Sequence, residues 1–399
     1  MFSLSNFHLI GKTVLIRVDY NVPLKNGKVV ENYKIRASLP TIKFLLANDC
    51  KIILATHLGR PEGKMVSSLK VDPLAEELRS LLPKNKIFKL NDCIGQEIKE
   101  EISLGKKKQI FLLENLRFYK EEEENDPAFA HSLAELADFY VNDAFGVSHR
   151  KHASLEAITH FLPSLPGLLL EKEIYHLHKV LKAEKPSVWI LGGAKLNKVE
   201  LIQRAFQKAD KILIGGALAF SFLKAKGYSV GMSKIDLESV QIAKHLLKSS
   251  SARKIILPLD FVVAEKLAYH TKTETVSFKE ITFNQMALDL GPKTIELFQN
   301  LLSRAKTVVW NGPLGYFESA QFAKGTKEIG RFLGKIKALK VAGGGETSEM
   351  IYKFHLEHNF TYVSTGGGAA LTFLSGKPMP GLIALEKNYL EYKHKKIID

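Results

Sequence analysis

Short apolar runs alternate with amphipathic stretches along almost the whole of this 399-residue chain. Continuous apolar strands separated by helices are typical of parallel sheets that are buried on both faces. The predicted strands form two series, the first at residues 13–20, 51–57, 110–115 and 139–144, and the second at residues 187–193, 211–216, 254–264, 307–312, 340–345 and 361–365. The pattern therefore predicts an α/β protein with two lobes, each built on its own parallel sheet.

One segment separates the two series of predicted strands. Pro163 and Pro166 interrupt the chain, a helix of about 15 residues is predicted from Gly167, and Pro186 ends the segment. A helical connector between two α/β lobes is suited to hinge closure. The predicted divisions are an N-lobe (residues 1–166), a hinge helix (167–185), a C-lobe (186–370) and a C-terminal segment (371–399).

Composition excludes several classes of protein. No apolar run approaches the roughly 18 residues that a membrane-spanning helix needs, and the N-terminus lacks the basic region and apolar core of a signal peptide. The two cysteines, Cys50 and Cys93, cannot form a disulfide framework and lack the spacing of a metal site. These features favour a protein of the reducing cytoplasm.

The charge balance leaves two interpretations. The chain has 57 Lys and Arg against 42 Asp and Glu, a formal net charge of +15. Such an excess fits a protein that binds nucleic acid or a membrane surface, and it also fits a basic protein with a site for small polyanions. The basic residues are dispersed, and residues 121–124 form an acidic run that a nucleic-acid groove would disfavour. The second interpretation is therefore preferred.

Arginine and histidine recur at the predicted carboxyl ends of strands in the first lobe. Because these ends meet at one edge of a parallel sheet, their side chains are expected to converge. An isolated arginine in a loop is usually a solvated surface residue, whereas arginines at successive strand ends suit bidentate recognition of phosphate and carboxylate. The residues in question are Asp19, Asn21, Arg36, His57, Arg60, Arg117, His149, Arg150 and His152. They predict a site for a small polyanion, and the histidine spacing does not match a zinc site.

Glycine clusters mark the predicted strand ends of the second lobe. Glycine lets backbone N–H groups approach a phosphate, and a following helix N-terminus adds a favourable dipole. The clusters lie at residues 192–195, 215–217, 310–318, 343–348 and 364–370. Neither a P-loop nor a dinucleotide fingerprint is present. Several such clusters in one lobe indicate a nucleotide, and Glu346 at the predicted start of a helix is placed to hold Mg²⁺ directly or through water.

Eight segments in order along the chain resemble the phosphoglycerate kinase family. They are RVDYNVPL, HLGRPEG, ENLRFYKEEE, FYVNDAFGVSHRKHAS, LGGAK, WNGPLGYFE, GGGET and STGGGAALTFLSGKPMPGL. The resemblance implies two Rossmann-like lobes of three αβα layers joined by a hinge helix, with the C-terminal segment returning to the N-lobe. It also implies reversible phosphoryl transfer from 1,3-bisphosphoglycerate to ADP, giving 3-phosphoglycerate and ATP, by a monomeric cytoplasmic enzyme that uses Mg²⁺.

The same resemblance implies roles for individual residues. Phosphoglycerate would be bound by Asp19, Asn21, Arg36, His57, Leu58, Gly59, Arg60, Arg117 and Arg150. The nucleotide would be bound by Lys195, Lys198, Gly312, Glu318, Gly344, Gly345, Glu346 and Thr347. Catalytic roles would fall to Arg36, Lys195, Lys198, Gly344 and Gly367, and the metal would be held by Glu346.

Two positions depart from the family pattern. The family has a second lysine four residues after the first, where this chain has Val199 and places Lys198 one residue earlier. Positions +3 and +4 share a face of a helix, so Lys198 is placed to replace the missing lysine; a loop shortened by one residue is the alternative. Glu346 stands where the family has aspartate. A nucleic-acid-binding protein on an α/β scaffold and a nucleotide-binding module without turnover remain as competing hypotheses.

Overall fold

The computed structural model describes residues 3–194, 199–268 and 270–394. Its strands are β1 (Thr13–Arg17), β2 (Leu24–Lys25), β3 (Lys28–Val29), β4 (Lys51–Ala55), β5 (Ile87–Lys89), β6 (Ile110–Leu112), β7 (Phe139–Asn142), β8 (Ser164–Pro166), β9 (Ser187–Leu191), β10 (Lys211–Ile214), β11 (Ile255–Ile256), β12 (Asp260–Ala264), β13 (Glu274–Ser277), β14 (Met286–Leu290), β15 (Thr307–Asn311), β16 (Leu339–Ala342) and β17 (Tyr362–Val363).

The α-helices surround these strands. They are α1 (Tyr33–Ala47), α2 (Asp72–Leu81), α3 (Gln96–Leu104), α4 (Lys120–Glu124), α5 (Pro127–Ala134), α6 (Leu168–Leu181), α7 (Val199–Lys208), α8 (Leu218–Ala225), α9 (Leu237–Leu247), α10 (Pro292–Leu302), α11 (Lys324–Leu333), α12 (Gly345–Lys353), α13 (Gly368–Ser375) and α14 (Pro380–His394). Within the described ranges, no helix is long and apolar enough to cross a membrane.

The chain forms two compact units. The first unit comprises Met1–Tyr175 with Pro378–Asp399, and the second comprises His176–Lys377. Each contains a six-stranded parallel sheet, in the order β5-β6-β4-β1-β7-β8 in the first unit and β11-β10-β9-β15-β16-β17 in the second. The predicted two-lobed α/β fold with mostly parallel sheets is thus confirmed.

The central strands are apolar on both faces because helices cover both sides of each sheet. In the first unit, Leu15 and Ile16 on β1 are fully buried although their side chains point to opposite faces. In the second unit, Trp189 and Ile190 on β9 are buried in the same way. The carboxyl ends of these central strands are the positions from which the candidate site residues project.

The strand predicted at residues 254–264 is wrong in its extent. Ile255–Ile256 pairs in parallel with β10, whereas Asp260–Ala264 belongs to a separate three-stranded antiparallel sheet of order β13-β12-β14. Pro258 lies between them and has no N–H to donate to a sheet ladder. Continuous apolar character therefore concealed a break between two sheets.

The segment at Pro163 and Pro166, which the sequence predicted as an interruption, contains a strand. Ser164–Pro166 forms the edge strand β8, which pairs in parallel with β7. An edge strand tolerates proline because its outer face has no ladder partner. Strand β5, at the opposite edge of the same sheet, was also absent from the sequence-based prediction.

Helix α6 follows β8, as predicted, and runs across the division between the two units. Its first N–H groups are held by Asp143, whose Oδ1 accepts from Leu169 N at 2.9 Å and from Leu170 N at 3.3 Å. A β-carbon at Gly167 would collide with this carboxylate. Glycine is therefore required where the chain enters the helix.

The C-terminal helix α14 belongs to the first unit. Asn388 on this helix is buried, and its Oδ1 accepts from Ser164 N at 2.8 Å. Its Nδ2 donates to the carbonyl of Leu162 at 2.9 Å and to that of Thr159. One asparagine thus satisfies three backbone groups of the strand-β8 region, and the chain from Pro378 onward belongs to the first unit.

Candidate active site

Asp19 and Asn21 lie just beyond the carboxyl end of β1. Oδ2 of Asp19 forms an ion pair of 3.0 Å with Lys34 Nζ, and Oδ1 accepts from Asn21 N at 3.2 Å. Burial opposes ionisation of Asp19, but nearby positive charge, that of Lys34 foremost, lowers its pKa far below its usual range. Asn21 Oδ1 in turn accepts from Gly59 N at 3.0 Å, which joins the loops after β1 and β4.

The loop after β4 is fixed by Asn115, at the end of β6. Its Oδ1 accepts from Leu58 N at 3.1 Å, and its Nδ2 donates to the Leu58 carbonyl at 2.8 Å. Gly59 has a φ of +65°, and a β-carbon there would crowd Leu69. Its carbonyl accepts from Arg117 Nη1 at 2.8 Å. The backbone of residues 58 and 59 is therefore held in one position, with Arg117 beside it.

His57 is buried against two arginines. Burial lowers its pKa well below the usual value for histidine, and the charges of Arg17 and Arg117 act in the same direction. Arg17 Nη2 lies 3.4 Å from His57 Nδ1. A guanidinium can only donate, so Nδ1 is the accepting nitrogen and Nε2 carries the proton. His57 is thus a neutral hydrogen-bond donor at neutral pH.

Four buried nitrogen atoms at this edge of the first sheet have no hydrogen-bond partner among the described residues. They are Arg117 Nε, His149 Nδ1, Arg150 Nε and His152 Nδ1. Burial is the main cause that lowers the pKa of Arg117 to about 10; Glu123, at 3.2 Å, opposes this, and the charge of Arg150 contributes to it. Buried polar groups are nearly always hydrogen-bonded. Arg117 Nε and His152 Nδ1 face the carboxylates of Glu123 and Glu122, whereas His149 and Arg150 form no ion pair among the described residues, so an anionic ligand would complete the group.

Arg36 and Arg60 differ from the buried arginines because both are exposed. Arg36 lies in the first turn of α1, two residues after the Lys34 that pairs with Asp19. Arg60 directly follows Gly59. Both are therefore at the same edge of the sheet as the buried group, with side chains accessible to a ligand.

The second unit contains a cavity of about 390 Å³ at the carboxyl ends of β9, β10 and β15. Its walls combine glycine backbone, apolar side chains and exposed carboxylates. The lining residues include Gly193, Gly216, Phe220, Phe261, Met286, Leu288, Pro313, Glu318 and Glu346. An apolar cleft edged by glycine loops suits a planar base joined to phosphates.

The loop after β15 packs closely against the loop after β9. Gly312 has a φ of +90°, and a β-carbon there would collide with the backbone of Gly192. Its N–H donates to Oγ1 of the buried Thr347 at 2.7 Å. The hydroxyl of Thr347 therefore holds the glycine loop in place.

Two helix N-termini lie side by side in the second unit. Gly344 precedes α12 with a φ of +122°, and Gly367 precedes α13 with a φ of +49°. Neither cap residue has a side chain to occupy the first N–H groups of its helix. A β-carbon on Gly367 would lie 3.7 Å from Gly345 N. Free N–H groups and two helix dipoles together favour a phosphate at this point.

Glu346 lies in the first turn of α12, as predicted, and is exposed to the cleft. Its Oε2 is 3.5 Å from the position of a β-carbon on Gly193. A carboxylate oxygen beside a glycine loop suited to phosphate fits Mg²⁺, which takes one or two protein carboxylates together with phosphate oxygens. No cluster of three or more His, Cys, Asp or Glu residues suited to a metal occurs in the part of the chain that the structure describes. Lys195 and Lys198 lie outside the described residues.

Comparisons with known proteins agree with this geometry. The phosphoglycerate kinase family model matches residues 4–377. The phosphoglycerate kinase of Moorella thermoacetica is 44% identical over 387 residues, which are 96% of this chain and 98% of that protein.

The chain belongs to the phosphoglycerate kinase family.

Solved structures of the family share the fold. That of phosphoglycerate kinase from Pyrococcus horikoshii OT3 superposes with a TM-score of 0.88 at 32% identity, covering 98% of this chain and 99% of that one. That from Coxiella burnetii gives 0.83 at 35% identity, covering 97% and 99%. Membership of the phosphoglycerate kinase family makes this chain a phosphotransferase, and it makes the use of a nucleotide with an associated metal the expected chemistry.

Two buried residues of this phosphoglycerate kinase fold were missed by the sequence analysis. Arg17 was treated as part of an apolar strand. An arginine within a buried run indicates a buried partner for its charge, and this could have identified it. Glu122 was treated as one of four residues in an acidic run, yet it is fully buried, whereas Glu123 and Glu124 are exposed. Both contact Ser154, at 2.8 Å from Arg17 Nε and 2.7 Å from Glu122 Oε1.

Asp289, in the wall of the second unit's cavity, was also missed. Its Oδ2 accepts from Gly325 N at 2.9 Å and its Oδ1 accepts from Leu290 N at 2.9 Å. Burial raises its pKa to about 7, although these N–H groups act in the opposite direction. Since the pKa of an unfolded aspartate is about 3.9, the folded protein retains the proton of Asp289 over a range in which the unfolded chain has lost it. The resulting stabilisation is complete below the unfolded pKa and is lost as the pH rises through about 7.

We expect the Asp289→Asn variant to lose this pH dependence. The free energy of unfolding of the wild type minus that of the variant should decrease by about 2 kcal/mol between about pH 4.5 and pH 7. Urea unfolding followed by tryptophan fluorescence measures it, because Trp189 and Trp310 both lie in the second unit. The exposed Glu296→Gln variant should show a constant difference, and a constant difference for Asp289→Asn would contradict the prediction.

Proposed function

We propose that the chain transfers the phosphoryl group of 1,3-bisphosphoglycerate to ADP, reversibly, giving 3-phosphoglycerate and ATP. Family membership supports this glycolytic reaction. The observation that carries it is the group of four buried arginine and histidine nitrogens that have no hydrogen-bond partner among the described residues of the first unit. Such a group is suited to a substrate that carries both phosphate and carboxylate oxygens.

The acid substrate is assigned to the first unit. Arginines supply bidentate donors, His57 supplies a neutral N–H, and the carboxylate of Asp19 is an acceptor for a substrate hydroxyl. The proposed binding residues are Asp19, Asn21, Arg36, His57, Leu58, Gly59, Arg60, Arg117 and Arg150. Leu58 and Gly59 contribute by fixing the loop that leads to Arg60, because their N–H groups already donate to Asn115 and Asn21.

The nucleotide is assigned to the second unit. The apolar cleft suits the base, and the glycine-capped N-termini of α12 and α13 suit the phosphates. The proposed binding residues are Lys195, Lys198, Gly312, Glu318, Gly344, Gly345, Glu346 and Thr347. Thr347 Oγ1 accepts from Gly312 N, which leaves the hydroxyl hydrogen and the backbone N–H of Thr347 as its donors toward a phosphate.

Magnesium is the metal proposed to accompany the nucleotide, held by Glu346 directly or through water. When bound, Mg²⁺ neutralises charge on the phosphate oxygens. Glutamate in place of the family's aspartate keeps the carboxylate and lengthens its reach by one methylene, and the exposed position of Glu346 leaves room for this.

The chemistry requires little from the protein beyond position and charge. In the direction of ATP consumption the nucleophile is a carboxylate, which is ionised at neutral pH and needs no general base. Catalysis then depends on in-line alignment and on stabilising charge on the transferring group. We assign this to the catalytic set Arg36, Lys195, Lys198, Gly344 and Gly367.

Because the substrates are assigned to different units, transfer requires closure about the connecting helix. We retain the divisions at residues 1–166, 167–185, 186–370 and 371–399, with the second as the hinge, the first as the phosphoglycerate lobe and the third as the nucleotide lobe. Closure would also exclude water from the transferring group. A monomeric state and a cytoplasmic location complete the proposal.

A coupled assay tests the function directly. ATP consumption is followed with 3-phosphoglycerate and Mg²⁺, and each component is omitted in turn. Turnover that requires all three supports the proposal. Absence of turnover would overturn it in favour of a nucleotide-binding module without activity.

We expect Glu346→Ala to raise the dissociation constant of MgADP about tenfold while leaving that of 3-phosphoglycerate unchanged. The carboxylate is lost from the nucleotide site only, so a single substrate should be affected. Calorimetric titration of each ligand measures the effect. Glu349→Ala, on the same helix and exposed, is the matched control, and unchanged MgADP affinity in Glu346→Ala would remove Glu346 from the metal site.

A further inference from the structure

Glu122 is the one member of the acidic run at residues 121–124 that is fully buried. Both of its carboxylate oxygens accept hydrogen bonds from Ser154, Oε2 from the backbone N at 2.9 Å and Oε1 from Oγ at 2.7 Å. Its own carbonyl accepts from Ala153 N at 2.9 Å. The carboxylate is therefore held in one orientation from two directions.

Two positively charged or chargeable groups face this carboxylate. Arg17 Nη2 and His152 Nδ1 each lie 3.7 Å from Glu122 Oε1, and all three side chains are buried. Burial alone would raise the pKa of Glu122, but His152, Arg17 and the Ser154 hydroxyl lower it below its usual value. The first unit thus contains a buried carboxylate that favours its ionised form, and it faces one of the four nitrogens described above, His152 Nδ1.

Arg17 connects Glu122 to His57, at the sheet edge to which the acid substrate is assigned. Its Nε donates to Ser154 Oγ at 2.8 Å, its Nη1 donates to the carbonyl of Val18, and its Nη2 lies 3.4 Å from His57 Nδ1. The guanidinium therefore bridges the Glu122–Ser154 pair and the ring of His57. A buried charge without a partner of opposite sign is strongly unfavourable. Without Glu122, the guanidinium of Arg17 would therefore be expected to change position.

We propose that Glu122 is a positioning residue of the phosphoglycerate site, which holds Arg17, and through it His57, in the geometry that receives the substrate. The proposal rests on the function proposed above. Glu122 itself is not placed to touch the substrate, because its side chain is fully buried among Ser154, Arg17 and His152. Its contribution is to pre-organise the neighbouring donors, so that substrate binding does not have to reorient them.

The Glu122→Gln variant tests this role with little change of volume. An amide has one accepting oxygen where the carboxylate has two, so one of the two Ser154 hydrogen bonds is lost together with the charge that neutralises Arg17. We expect the KM for 3-phosphoglycerate to rise about tenfold, as for the loss of one charge-assisted hydrogen bond. The KM for MgATP should change less than about twofold, because that ligand is assigned to the other unit.

Two further variants make the outcome decisive. Glu124→Gln removes an exposed charge from the same helix and should leave both KM values unchanged. Ser154→Ala removes the hydroxyl that bridges Arg17 and Glu122, and it should raise the KM for 3-phosphoglycerate about threefold. If Glu122→Gln does not fold, this variant tests the positioning role in its place.

The results separate this proposal from the proposed function. Wild-type turnover with an unchanged KM for 3-phosphoglycerate in Glu122→Gln, or equal rises of both KM values with a fall in melting temperature, would overturn the positioning role and leave the function standing. A wild type without turnover would overturn both. A rise confined to 3-phosphoglycerate, confirmed by calorimetry without nucleotide, supports the proposal.

Discussion

Replacing Arg36 by alanine is expected to lower kcat about a thousandfold while leaving the binding of MgADP unchanged. Removing one donor from a site of developing charge typically costs a factor of this order. Arg36 is exposed in the first turn of α1, beside the loop that carries Asp19, so its guanidinium is free to reach the transferring group. Steady-state kinetics and calorimetric titration of MgADP measure the two quantities separately.

Lys43→Ala is the control for this result, because Lys43 is an exposed cation on the same helix. It should leave kcat and both KM values unchanged. Arg36→Lys should remain far below the wild type, since an ammonium cannot form the paired hydrogen bonds of a guanidinium. Turnover of Arg36→Ala within about threefold of the wild type would remove Arg36 from the catalytic set.

The second large effect is expected for Gly344→Ala. Gly344 has a φ of +122°, which a residue with a β-carbon rarely adopts, and that β-carbon would collide with Asn311 Nδ2. The side-chain amide of Asn311 donates to the carbonyl of Gly343 at 2.6 Å, so it is not free to move aside. Because the first N–H groups of α12 would be displaced, we expect kcat/KM for MgATP to fall about a hundredfold.

Gly95→Ala separates lost function from backbone strain. Gly95 also precedes a helix, α3, with a φ of +110°, and its surroundings are open. The variant should lose stability, yet keep the kinetic constants of the wild type. A loss of activity in Gly95→Ala as large as in Gly344→Ala would show that the effect arises from destabilisation and not from the phosphate-binding loop.

The sequence predicted the strands correctly where the residues of a run were mostly apolar and buried. Strands β1, β4, β7, β9, β10 and β15 were predicted because apolar runs of this length are buried on both faces. Their ends were overestimated by one to three residues, since residues beyond them can remain buried after the ladder has ended, as Val18 and Tyr20 do after β1. The antiparallel sheet was missed because pairing direction has no signature in an apolar run such as residues 254–264.

In the candidate site, too, features that depend on neighbouring residues were predicted, and features that depend on residues far apart in the chain were not. Arginines at strand ends and glycines before helices are local patterns, and the structure brings Asp19, His57 and Arg117 to one sheet edge. Glu122 could not be distinguished from Glu123 by sequence, because its burial depends on Arg17 and Ser154, which lie more than 30 residues away in the chain on either side. Asp289 was missed for a similar reason, since its partner Gly325 is 36 residues away.

The placement of α14 has a consequence for synthesis of the chain on the ribosome. The first unit is interrupted by the whole of the second, so Asn388 emerges only after residues 176–377 have been made. Until then Ser164 N and the carbonyls of Thr159 and Leu162 have no Asn388 to bond. The nascent first unit therefore has all the strands of its sheet before the second unit is made, yet the edge beside β8 lacks α14 until the chain is nearly complete.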